Sequence, residues 1–158
     1  MALLTEALTE TEFIERMYLV IQALRQGDLS PRIRPWGDPL CDRVGQAMNE
    51  TLAHLSGVIA EVNRVQNEVG HMGQLGPQTH VPNADGEWKV MLGQVNRLAA
   101  NLTNQIRNFD QVLRAVERGE GGQRATVPCH GEIRQLRDTI NRLAAKLNES
   151  GAGATATA

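Results

Sequence analysis

The sequence predicts an all-α fold built from three copies of one helix–connector–helix unit, on three observations. Gly27, Gly73 and Gly119 recur at a constant separation of 46 residues, each closing a helical stretch and opening a Pro/Gly-rich one. After each glycine comes a shared pattern, in Met48–Leu55, Val95–Leu102 and Ile140–Leu147: apolar, Asn, two variable residues, Leu or its neighbour, Ala, one variable residue, Leu. Aromatics make up only 3% of the 158 residues while 41% are hydrophobic, the profile of helices packed through aliphatic seams and a poor one for a β-sandwich.

The first helix is a short one, with Phe13, Met17, Val20 and Leu24 alternating in steps of four and three. The segment 27–41 then breaks the pattern, as do 73–86 and 119–131. Together these three hold all six prolines, including the pairs Val81-Pro82 and Val127-Pro128. They read as extended connectors: a dozen residues at up to about 3.3 Å each can run back along a short helix, so the helices on either side can be parallel.

From Val44 the apolar positions run Val44, Met48, Leu55, Val58, Val62, Val65, Val69 and Met72, with Thr51 in the remaining slot. This is one continuous helix of about 30 residues, some 45 Å long. The next, 86–118, repeats the seam with Trp88, Met91, Val95, Leu98, Leu102, Phe109, Val112 and Val116, and Gln105 takes the polar slot. The last carries Ile133, Leu136, Ile140, Leu143 and Leu147, and the Gly/Ala/Thr tail 150–158 reads as disordered. The division expected is 1–8 flexible, units at 9–56, 57–103 and 104–149, then the tail.

A period of 3.5 keeps an apolar stripe aligned with a neighbour only if the helices supercoil. Two parallel helices of one unit leave their seams half exposed. The same pair from a second chain closes four stripes onto one axis, at about 0.8 kcal/mol for each methylene buried. The expectation is a parallel homodimer, a four-helix coiled-coil bundle.

The residues resemble the HAMP domain of receptors and histidine kinases. The resemblance lies in Gly27-Asp28-Leu29-Ser30-Pro31-Arg32-Ile33, in Gly86-Glu87 and Gly131-Glu132 where the family has Asp-Glu, and in the Asn-containing helices; it spans about residues 10–149. The stretch from Gly86 to Glu120 is similar to tandem poly-HAMP arrays of soluble receptors and hybrid histidine kinases. The resemblance implies connector anchors at Leu29, Ile33, Leu75, Val81 and Val127. It gives Glu87 and Glu132 a role in organising connector and helix start, where a carboxylate is favourable in any case. In the first unit Leu40 stands at the acidic position unless Asp42 substitutes, and in the third Gly121 and Gly122 stand where an anchor would fall.

The function so implied is a relay in a two-component or chemotaxis-type pathway, passing conformational change along a dimeric coiled coil. No enzyme activity and no cofactor are expected. The histidines His54, His71, His80 and His130 lack a phospho-acceptor setting, no acidic residues have metal-ligand spacing, and Gly119-Glu120-Gly121-Gly122 lacks the lysine of a phosphate loop. Cys41 and Cys129 read as two reduced thiols.

A formal charge of −2, with basic residues spread along the chain, argues against nucleic acid, and no apolar run spans a bilayer. A cytoplasmic location is expected, with a signalling partner or an attached sensor, kinase or receptor module. Two rival readings remain. A HEAT-like α-solenoid fits the same period and would have antiparallel, monomeric hairpins; a passive coiled-coil adaptor would not switch.

Overall fold

The computed structural model describes residues 10–120 and 122–155, with side chains through Glu149. Helix α1 spans Glu10–Arg25 and α2 spans Pro39–Val65, continued by a π-helical turn at Gln66–His71. Helix α3 spans Gly86–Glu117 and α4 spans Gly131–Thr155. The expected flexible segment 1–8 lies outside the described residues. The backbone of 150–155 continues α4 as helix, where a disordered tail 150–158 was expected; 156–158 lie outside the described residues.

The three repeated glycines do one job. Gly27, Gly73 and Gly119 have φ of +82°, +68° and +72°, the left-handed conformation that ends a helix and that a side chain resists. At the first, Asp28 N–H donates to Ala23 C=O (2.9 Å) and Gly27 N–H to Leu24 C=O (3.0 Å). At the third, Glu120 N–H donates to Ala115 C=O (2.9 Å) and Gly119 N–H to Val116 C=O (3.0 Å). The start of α2 is capped as well: the Asp38 carboxylate accepts from Leu40 and Cys41 N–H, both at 2.9 Å, and Pro39 occupies the first helical position.

The middle cap is wider, with Gln74 N–H reaching Glu68 C=O six residues back. Its cause is one extra residue: Asn49 stands 24 residues before Gly73, whereas Asn96 stands 23 before Gly119. The π-turn absorbs that residue, so the uninterrupted α-helix expected from Val44 to Met72 is corrected to α followed by π.

Helices flanking a connector run in the same direction. In the third connector Thr126 N–H meets Asn108 and Pro128 C=O meets Gln105, so the chain retraces α3 before starting α4. The second connector retraces α2, with Gln78 opposite Arg64 and His80 opposite Glu61. In the first, Trp36 near the start of α2 packs edge-on against Phe13 near the start of α1, with ring centroids 5.6 Å apart. The antiparallel hairpins of a solenoid are thereby ruled out.

Three apolar clusters follow one another along the chain. The first joins Phe13 and Val20 of α1, Ile33 of the connector and Leu52 of α2. A second joins Val65 and Val69 to Ala99. The last joins Phe109 and Val112 to Ala125 and Cys129 of the connector and Ile140 and Ala144 of α4.

Candidate functional site

The connectors behave as lone strands, with side chains alternating in and out. Leu29, Pro31 and Ile33 turn toward the helices in the first; Leu75, Pro77, Thr79 and Val81 in the second; Ala125, Val127 and Cys129 in the third. A lone strand has no sheet to satisfy its buried backbone, and an asparagine of the following helix supplies what is missing. The Asn49 carboxamide accepts from Ile33 N–H (2.9 Å) and donates to Ile33 C=O (2.8 Å). Asn141 does the same for Ala125 at 2.8 and 3.1 Å. Asn96 accepts from the N–H (2.7 Å) and hydroxyl (2.9 Å) of Thr79 and donates to its C=O (3.3 Å).

The preceding helix clamps the other side. Asn108 Oδ1 accepts from Thr126 N–H (3.1 Å) and Val127 N–H (3.3 Å). At the matching place Glu61 accepts from His80 N–H (2.8 Å). Glu61 is also paired with Arg64 at 2.9 Å, and Arg64 in turn donates to Gln78 C=O (2.7 Å) and to Glu68 (2.8 Å). Arg64 first, and then the His80 N–H, pull the Glu61 carboxyl down to a pKa of about 2.

Of the residues expected to anchor connectors, Ile33 is buried while Leu29, Leu75, Val81 and Val127 are half-buried. The deepest connector positions also include Thr79, Ala125 and Cys129, which sequence reasoning missed. Their signal was available: Ile33, Thr79 and Ala125 each lie six residues after a cap glycine. Glu87 and Glu132 are exposed, and among the described residues neither makes a side-chain hydrogen bond or ion pair. In the first segment Asp42 holds the connector's end, accepting from Trp36 and Gly37 N–H.

The seam residues divide. Val58, Val65, Val69, Phe109 and Ile140 are buried within the chain, and Met48, Leu55, Val62, Val95 and Leu102 are half-buried. Val44, Met91, Leu98, Ile133, Leu136 and Leu143 are exposed, Leu98 at 71%. Packing within the chain instead uses the neighbouring stripe, where Leu52, Leu92, Ala99 and Ala144 are buried. Between α2 and α3 this leaves an open apolar groove of about 350 Å³ lined by Val62, Val65, Gln66, Val69, Leu98 and Leu102.

The third segment pairs two parallel helices, a glycine-capped return and an asparagine-clamped connector. Residues 97–149 match the HAMP domain family. This HAMP match covers the last two thirds of α3, the third connector and α4 through Glu149, and it indicates a signal-transduction role for that stretch. HAMP domains are signalling linkers, not catalytic ones. No solved structure matches the chain. Among the described residues, no helix is long and apolar enough to cross a membrane and no group of His, Cys, Asp and Glu is placed to hold a metal.

Proposed function

We propose that this chain is a conformational relay in which three HAMP-like units, at 9–56, 57–103 and 104–149, act in series within a parallel homodimer. The observation that carries the reading is the recurrence of the matched segment's parts. The glycine cap, the alternating connector and the asparagine clamp stand in the two earlier segments as they do in residues 97–149. A second copy is supported by surface. The chain exposes 11773 Å², against about 7,800 Å² for a compact monomer of its mass. Leu98, Leu136, Leu143 and Leu147 lie bare along α3 and α4.

In the relay, α2 and α3 each belong to two units, so repacking in one unit biases the next through a shared helix. Val44, Met48, Leu55, Met91, Val95, Leu98, Ile133, Leu136 and Leu143 would line the dimer axis. The connectors, held through Leu29, Ile33, Leu75, Val81 and Val127, would set how the helices pack. The output would be a receptor or histidine-kinase module in the cytoplasm, attached to this chain or docked on it.

The test begins with light scattering of the purified chain, where twice the chain mass is expected and a monomer at micromolar concentration refutes the dimer. Cysteines are then placed at Leu98 and Leu143 in a background with Cys41 and Cys129 replaced by serine. Both should crosslink two chains. A perturbation confined to the first unit, such as Gly45→Ala, should change the crosslinking yield at Leu143; an unchanged yield would make the chain a passive spacer.

A further inference from the structure

The three connectors are not clamped alike, and the odd one carries an unfilled position. Asn108 stands eleven residues before its cap glycine and accepts from the N–H of Thr126, seven after it. Glu61 takes the same place, with the extra residue absorbed by the π-turn, and accepts from His80, again seven after the glycine. In the first segment these positions are Arg16 and Arg34. A guanidinium has no acceptor atom. Among the described residues, no hydrogen bond reaches the Arg34 N–H.

The surroundings at that point are cationic and shaped. An open cleft of about 420 Å³ is lined by Arg16, Leu19, Val20, Pro31, Arg32 and Arg34, with no acidic residue among them. Two of the three guanidinium groups are held in place. Arg32 donates to the carbonyls of Leu29 (2.6 Å) and Pro31 (2.8 Å), and Arg16 lies over the Trp36 ring, 6.0 Å from its centroid. Such a cleft has the size of a small-molecule site.

We propose that this cleft binds a small oxyanion, whose carboxylate or phosphate oxygens accept from Arg34 N–H and pair with Arg16 and Arg34. The ligand supplies from outside the acceptor that Glu61 and Asn108 supply from within. Planar guanidinium groups suit both oxyanion classes. Occupancy fastens the connector to α1, which makes the first segment an input point. The role as an input point rests on the relay reading, while the binding does not and is measured directly.

The test uses the ¹⁵N-labelled chain at low ionic strength, titrated with sodium pyrophosphate in one arm and succinate in the other. The expected result is a saturable shift of the Arg34 amide resonance; pyrophosphate alone shifting it assigns a phosphate ligand, and succinate doing so assigns a carboxylate. Arg16→Gln and Arg34→Gln should each weaken binding about tenfold, while Arg25→Gln, outside the cleft, leaves it unchanged.

The sharpest variant is Arg16→Glu, which rebuilds the Glu61 arrangement. It should abolish binding, move the Arg34 amide toward its ligand-bound position without ligand, and raise Tm by about 2–4 °C. No saturable shift with either probe, or undiminished binding by Arg16→Glu, would overturn the proposal.

Discussion

Replacing Gly45 by alanine sets two effects of known size against each other. Gly45 sits in α2, where a helix-interior glycine costs about 1 kcal/mol relative to alanine, so propensity alone makes the substitution stabilising. Packing opposes it. A Cβ built on Gly45 falls 3.4 Å from Ile33 Cβ and 2.8 Å from Ile33 Cγ2, the latter closer than atoms tolerate. Ile33 is poorly able to move away: its side chain is branched at Cβ and stiff, and its backbone is held on both N–H and C=O by Asn49. Overpacking of this kind costs about 1–3 kcal/mol. The net effect of Gly45→Ala should be a loss of about 0–2 kcal/mol, read as a lowered urea midpoint with unchanged slope. Two controls isolate the cause. Gly57 lies in the same helix with open space around its Cβ position, so Gly57→Ala should stabilise by about 1 kcal/mol. In an Ile33→Ala background the 2.8 Å contact to Cγ2 is gone, and Gly45→Ala should turn stabilising. A higher midpoint for Gly45→Ala in the otherwise unaltered chain would refute the close packing of connector on helix.

Three further outcomes follow from the same geometry. Asn96→Ala removes three hydrogen bonds and leaves a buried connector N–H unsatisfied, so it should cost about 2–3 kcal/mol and raise hydrogen exchange at the Thr79 amide. Thr103→Val deletes a buried hydroxyl that has no hydrogen-bond partner and should stabilise by about 1 kcal/mol, seen as a higher Tm. Glu61 titrates near 2 when folded, below its ordinary 4.5, so its share of stability is fully present above pH 4.5 and disappears as pH falls toward 2. Glu61→Gln should therefore flatten that part of the acid-unfolding profile, and an unaltered profile would show that Glu61 does not hold the connector.

Much of this was legible because repeats leave periodic marks. The cap glycines, the connectors and the parallel run of helices all follow from a spacing of 46 and a reach argument. Leu52 shows what was hidden. A heptad count selects the stripe through Thr51 and Leu55, yet the connector lies in the groove beside it and buries the next position over, so Leu52 is wholly enclosed while Thr51 stays exposed. Thr79 and Ala125 escaped notice because small residues give no hydrophobic signal; they are buried by a backbone bond to asparagine. The asparagines themselves stood in the shared pattern, but what their amides hold is settled only by the fold, which brings the connector alongside. The π-turn was countable as an unequal spacing between Asn and Gly.

That unequal spacing bears on how such a chain tolerates change in length. One residue added to an α-helix swings everything beyond it by about 100°, which would carry Val69 off the line shared by Val58 and Val65. Winding the surplus into a single loose turn preserves aim at the expense of hydrogen-bond quality, so insertions are absorbed locally rather than passed on to the rest of the shaft. The turn from Gln66 to His71 is then where the long helix should fray first.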